Sequence, residues 1–221
     1  MTYRTPEYHP AFEEYCETIY ALAEEDQKVI QARIAERLEV APPSVSEMVK
    51  RMEAAGLLTI NASSIALAPA GEELATRIVR RHRLAERFLT DVLGLTWSQA
   101  HHEACRWEHV ISPEVEVGLT RLLGNPSTCP HGNPIPGSDY EAPEAVRLNK
   151  IGEGSTFTVT RIPEELEFTP GMLDYLEKWR LVPGYSGTVT GIARDGSMTV
   201  NVEGNDVEVD PFATSRIFVT A

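Results

Sequence analysis

ARIAERLEVAPPSVSEMVKRMEAAGLL, residues 32–58, is the stretch on which the fold turns. Ile30, Ile34 and Leu38 recur at helical spacing, and Val45, Met48, Val49 and Met52 recur again after Pro42 and Pro43. Proline has no N–H and a fixed φ, so it blocks continuation of one helix but fits the first turn of the next. The pattern predicts a short helix over 29–38 and a second one opening on the prolines or Ser44 and ending at Gly56. Two helices joined by a short break, the second starting on small polar residues, form the helix-turn-helix pattern. Such a second helix would present Pro43, Ser44, Ser46 and Glu47 to a DNA groove, with Lys50 and Arg51 near phosphates. Serine hydroxyls and proline carbons make few base-specific bonds, so discrimination should lean on thymine methyls and DNA shape.

Upstream, Phe12, Tyr15, Ile19 and Leu22 mark a first helix over 10–25. Downstream, Leu57–Ile60 and Ile65–Leu67 alternate around Asn61-Ala62-Ser63-Ser64, as two strands of a wing would. A long helical pattern runs from Pro69 to about Leu93; Thr96 or Ser98 caps another through Val110, and Ser112-Pro113-Glu114 a third through Leu123. These helices are long enough for a dimer bundle. Residues 124–146 are rich in Pro and Gly and read as a linker or irregular crossing. Short strands are expected at 155–162, 187–192, 198–202, 207–209 and 215–220, with a helix over Met172–Trp179, which suggests a small SH3-like barrel. The expected architecture is mainly α with small β parts: a winged helix-turn-helix at 1–72, a helical metal-binding and dimerisation domain at 73–140, a linker at 141–154 and the barrel at 155–221.

The 221 residues carry 20 Lys plus Arg against 33 Asp plus Glu, a net charge of -13. No apolar run approaches the roughly 20 residues of a membrane span and the start is unlike a signal peptide, so a cytoplasmic protein with no membrane partner is expected. Cys16, Cys105 and Cys129 are odd in number and widely spaced, which suits reduced thiols or ligands better than a disulfide framework. The charge is uneven. Lys28, Arg33, Arg37, Lys50 and Arg51 outnumber the acids of 28–60 by one, and residues 76–110 hold six Arg against four acids. A basic island in an acidic chain attracts DNA only weakly, so an added positive charge would help.

Four of the six histidines, His82, His101, His102 and His109, lie close together with Glu86, Glu103, Cys105 and Glu108. On a helix Cys105, Glu108 and His109 stand at i, i+3, i+4, His101 lies one turn earlier, and His82 with Glu86 forms an i, i+4 pair on the helix before. Two such groups on packed helices offer N, O and S donors suited to a first-row divalent metal.

HRLAERFLTDVLGL followed by HHEACRWEHVISPEVE closely resembles the metal-sensing region of the diphtheria toxin repressor family, the iron- and manganese-dependent bacterial transcriptional regulators. The 32–58 stretch resembles that family's winged helix-turn-helix, and HGNPIPG is similar to its post-helical segment. The resemblance covers nearly all of 10–140 and is looser over 150–221, where it implies an SH3-like C-terminal domain. It implies a homodimer that binds a palindromic operator in double-stranded DNA and carries two metal sites per subunit. The primary site would use Glu14, Cys105, Glu108 and His109, and the ancillary site His82, Glu86 and His101. Iron-sensing members have Met where Glu14 stands; a carboxylate there hardens the site, which favours Mn2+ over Fe2+. The C-terminal positions that supply ancillary ligands in iron-type members match Thr169 and Met172, poor ligands, so Glu164, Glu165 or above all Glu167 is expected to substitute.

Two other readings compete: a metal-dependent hydrolase, since the same residue types activate water, and a thiol-based redox regulator using Cys105 with Cys16 or Cys129. Neither a separate general base nor a reason for the winged helix accompanies the first. The non-enzymatic regulator is the expected function.

Overall fold

The computed structural model describes residues 10–61 and 64–221. They divide into two compact units, one comprising the chain up to Arg81 together with Glu108–Val110, the other His82–Trp107 with Ile111–Ala221.

The first unit holds α1 (Pro10–Glu24), α2 (Gln31–Arg37), α3 (Pro42–Ala54), β1 (Leu58–Asn61), β2 (Ser64–Leu67) and the start of α4 (Pro69–Asp91). Glu39, at φ 53°, turns the chain after α2. Helix α3 opens on Pro42 and Pro43 with no side-chain cap, so the prolines rather than Ser44 set its start. Its apolar positions Val45, Val49 and Met52 are buried with Ile19, Leu22, Ile34, Leu57 and Ile78. The opposite face leaves Pro43, Ser44, Glu47, Lys50 and Arg51 exposed and Ser46 half-buried. Strands β1 and β2 pair antiparallel with Leu58 opposite Leu67 and Asn61 opposite Ser64. Ala62 and Ser63, in the expected turn, lie outside the described residues. A Cβ on Gly71 would stand 2.1 Å from the Leu57 carbonyl oxygen, so only glycine lets α4 begin this close to the wing.

In the second unit, α4 continues from His82 and is followed by α5 (Trp97–Trp107) and α6 (Pro113–Leu122) around Ala85, Leu89, Ala100, Ala104, Ile111 and Leu119. Thr96 and Gln99 cap α5 reciprocally: the Gln99 N–H donates to Thr96 Oγ1 at 3.3 Å and the Thr96 N–H to Gln99 Oε1 at 3.2 Å. The helix ends at Trp107, three residues short of the expected Val110; Glu108–Val110 form a turn. Val92, Leu93, Val115 and Leu122 stay exposed.

The segment expected as a linker or irregular crossing is in part core: Cys129, His131, Asn133 and Ile135 are buried. After it come β3 (Val146–Arg147), a 3-10 turn at Leu148–Lys150, β4 (Thr156–Arg161), α7 (Glu164–Glu167), α8 (Met172–Lys178), β5 (Ser186–Ile192), β6 (Met198–Val202), β7 (Asn205–Val209), α9 (Pro211–Thr214) and β8 (Phe218–Thr220). The strands form one antiparallel sheet in the order β3-β8-β4-β5-β6-β7. Among the described residues no ladder joins β3 to β7, so the sheet is open where a closed SH3-like barrel was expected. Val159, Val189, Val200, Val209 and Val219 line its buried face with Leu173, Leu176 and Trp97. That packing fixes α7, and with it Glu164 and Glu167, both buried.

Candidate metal centre

Among the described residues, ligand atoms gather in each of the two units. In the first, α1 presents Glu13 and Glu14 to His109. His109 Nδ1 donates to Glu13 Oε2 at 2.8 Å and Nε2 to Glu14 Oε1 at 3.1 Å, with Glu108 Oε1 3.3 Å from Nε2. Hydrogen bonds to Glu13 and then to Glu14 raise His109 to about 10, against its partial burial. At neutral pH the ring is therefore an imidazolium that occupies the centre of three carboxylates as a cation would. Glu14, Glu108 and His109 place their ligand atoms within 4.8 Å of one another. Glu13, buried beside exposed Glu14, was not singled out as a site residue from sequence; two adjacent acids on one helix give no sign of which will face a histidine.

The second group is buried. His82, Glu86, His101 and Glu167 bring their ligand atoms within 4.8 Å of one another, as do Glu86, Cys129 and His131. His82 Nε2 and His101 Nδ1 both face Glu86 Oε1 at 3.1 Å, and His131 Nδ1 lies 3.4 Å from the same oxygen. Glu167 Oε2 is 3.2 Å from His101 Nδ1, and its Oε1 is 3.1 Å from His131 Nδ1. Several of these approaches are close enough for charge attraction but poorly directed: Glu86 Oε2, Glu167 Oε2 and both ring nitrogens of His131 have no hydrogen bond. Burial pushes the Glu86 carboxyl up, but His131 and His82 pull it well below the usual range. Glu167 is drawn to about 2, burial and neighbouring Glu86 being outweighed by His131 and His101. Burial opposes the charged form of His101, yet its polar neighbours Cys105, Glu167 and Glu86 raise it to about 12, and Glu167 and Glu86 hold His131 well above its usual value.

Glu167 reaches this group because the segment 131–133 is tied to the sheet. The Ile162 N–H donates to the His131 carbonyl at 2.8 Å, while Asn133 Nδ2 donates to Glu167 Oε1 at 2.7 Å and to the Ile162 carbonyl at 2.9 Å. Arg161 Nε donates back to Asn133 Oδ1 at 2.8 Å. Gly132, at φ 85°, would put a Cβ 2.2 Å from the Thr160 carbonyl oxygen, so the approach requires glycine. Glu164 pairs instead with Arg83 at 3.4 Å and Glu165 with Arg216 at 2.6 Å, which occupies both with arginine. His131 was missed from sequence and Cys129 was assigned to neither metal site, although Cys-Pro-His places two ligand types two residues apart.

Cys105 stands with the second unit: its Sγ is 3.9 Å from His101 Nε2, and it shares a ligand-atom group with His82 and His101. The spacing that set it beside Glu108 and His109 assumes a helix continuing past Trp107.

The donor sets suit a divalent cation. Orphaned, fully buried carboxylate and imidazole atoms are costly unless something pairs with them, and carboxylate with imidazole is the set preferred by manganese, iron and zinc. Cys16 and Cys129 make poor redox thiols: burial and then Glu13 push Cys16 to about 12, and burial followed by Glu86 raises Cys129.

Compared with known proteins, residues 8–64 match the N-terminal DNA binding domain of iron dependent repressors, and 68–137 match their metal binding and dimerisation domain. The iron-dependent repressor IdeR of Mycobacterium leprae is 43% identical over 80% of this chain and 82% of its own length. The diphtheria toxin repressor of Corynebacterium diphtheriae is 40% identical, with 89% and 91% covered. Among solved structures, a manganese-dependent transcriptional repressor in complex with manganese superimposes with a TM-score of 0.85 at 30% identity, over 95% of this chain and 99% of that one.

Proposed function

The chain belongs to the family of iron-dependent repressors that includes the diphtheria toxin repressor, transcriptional regulators and not enzymes, and on that premise we propose a DNA-binding repressor of metal-homeostasis genes that prefers Mn2+ to Fe2+. The observation that carries this reading is the convergence of Glu14, Glu108 and His109 in the same unit as an exposed helix-turn-helix face. We assign one cation to Glu14, Glu108 and His109, where sequence spacing would add Cys105, and a second to His82, Glu86, His101 and Glu167, with Cys129 and His131 adjoining them. Manganese is favoured by the carboxylate at Glu14.

Bound there, a divalent cation would supply two positive charges without protons. The residues do the rest. Glu14 lies on α1, whose buried face is part of the core that carries α3. Holding Glu14 to the segment after α5 restrains α1 and with it the recognition helix. Lys50 and Arg51 then serve as phosphate contacts and Pro43, Ser44, Ser46 and Glu47 as the groove-facing set. Exposed Val92, Leu93, Val115 and Leu122 offer an apolar face for a second copy, and a twofold dimer calls for a palindromic operator. No described helix is long and apolar enough to cross a membrane, consistent with a cytoplasmic regulator. We keep 1–72, 73–140 and 155–221 as the functional divisions, the last built as a variant of an SH3-like domain with an open sheet.

The test is an anaerobic pull-down of fragmented genomic DNA with chelator, Mn2+ or Fe2+, followed by sequencing. A shared palindrome enriched only with metal, and more with Mn2+, is expected. Equal enrichment with chelator, or none with either metal, overturns the reading.

A further inference from the structure

Glu25 stands where a carboxylate is unwelcome: it follows α1, at the helix end whose unpaired carbonyls carry partial negative charge, and it is buried. What offsets that cost is Arg37, in the last turn of α2, whose Nη2 donates to Glu25 Oε2 at 2.7 Å, with the two side chains 9% and 3% exposed. Gln27 extends the contact: its Nε2 donates to the same Glu25 oxygen at 3.2 Å, and its Oε1 accepts from Arg33 Nη1 at 3.0 Å. Asp26, at φ 58°, turns the chain between Glu25 and Gln27. The end of α1 thus grips two arginines of α2. Ile19 and Leu22 also share a core with Ile34, but apolar contact is non-directional and lets helices slide, whereas a charged hydrogen bond fixes register.

We propose that Glu25 and Arg37, with Gln27 and Arg33, clasp α1 to α2 so that the two helices move as one body, and that this clasp carries the effect of a cation at Glu14 to the recognition helix. Glu13 and Glu14 face His109 near the start of α1, and one uninterrupted helix of about 1.5 Å rise per residue joins them to Glu25. A restraint applied at Glu14 therefore reaches Glu25 as a displacement of the whole helix. From there the clasp passes it to α2, whose Ile34 is buried with Val45 and Val49 of α3. Without the clasp, α1 keeps its carboxylates and its apolar packing but slips along α2, and α3 no longer follows. Glu25 and Arg37 belong neither to the groups of ligand atoms nor to the groove-facing set, so both are positioning residues. The clasp presupposes the metal-activated DNA binding proposed above.

The readout is the ratio of operator affinity with Mn2+ to that with chelator, measured on the full-length protein by fluorescence anisotropy. It should fall from at least about 30-fold in wild type to under about threefold in Glu25→Gln and in Arg37→Gln, while Mn2+ still binds both variants in the absence of DNA. Coupling is reciprocal, so the operator should tighten Mn2+ binding by wild type and not by these variants. Breaking a buried pair also costs stability, and two further variants separate the effects. Leu74→Ala opens a cavity in the same core away from the clasp and should keep the full ratio. Arg37→Lys keeps the charge and should give an intermediate ratio. Hydrogen exchange supplies a reading without DNA: Mn2+ should slow the amides of 31–37 in wild type but not in Glu25→Gln. Full activation in Glu25→Gln or Arg37→Gln, an equal loss in Leu74→Ala, or metal-dependent protection of α2 that persists in Glu25→Gln, overturns the clasp. A wild type that binds the operator equally with chelator overturns the metal-activated reading itself, a result seen before any variant is made.

Discussion

The two ligand groups share chemistry but differ in their access to water. Around His109 the charges are partly exposed: Glu14 is open to solvent, and one imidazolium holds Glu13, Glu14 and Glu108 together. Around Glu86 every member is buried, two carboxylates face three imidazoles, and several polar atoms have no hydrogen bond. Charges near water are rearranged cheaply because solvent screens what the protein releases. Buried charges hold one another in place, and losing a partner leaves the remainder uncompensated. By this physics the exposed group suits switching and the buried one suits holding Glu167 of α7 against α4 and α5.

The largest expected difference is in stability. Glu86→Ala removes the carboxylate on which His82, His101 and His131 converge, and should lower the unfolding free energy of the metal-free protein by about 3–5 kcal/mol in urea melts. Glu14→Ala should cost less than about 1 kcal/mol in the same assay. Similar losses would erase the distinction between the two groups.

Next comes stoichiometry. If the two proposed sites both take Mn2+, calorimetry should lose one of two ions in Glu167→Ala with the His109 group intact, whereas Glu164→Ala and Glu165→Ala keep both, since their carboxylates face Arg83 and Arg216. A smaller effect belongs to the recognition helix: Lys50→Ala should weaken DNA binding several-fold across sequences and reduce the slope of log affinity against log salt by about 1. Smallest is the proton count. With His109 raised to about 10, the ring is charged at pH 7 and must lose its proton to become a ligand, so binding at this site should release about one proton. Affinity should therefore rise with pH toward that value and fall as pH drops; calorimetry in buffers of different ionisation enthalpy reads the proton directly.

Much of this was legible locally. The helix-turn-helix, the wing pairing and the His82/Glu86 pair follow from short-range periodicity, and α3 began where its prolines require. What periodicity could not reach was set by distant packing. Cys129 and His131 lie in a stretch without repeat, and their burial depends on Asn133 and Ile162 pairing across the fold. The open sheet reflects strand pairing of long sequence separation, such as β3 with β8. Helix α5 stops at Trp107, so Glu108 and His109 stand in a turn that helical periodicity through Val110 does not register.

The central claim is that Glu14 converts metal binding into DNA binding. Fluorescence anisotropy on a recovered operator, with chelator and with Mn2+, should show wild type gaining at least about 30-fold in affinity, corresponding to ~2 kcal/mol. Glu14→Ala should show no gain while remaining a dimer by sedimentation. A wild-type affinity unchanged by metal, or full activation without Glu14, would contradict the account.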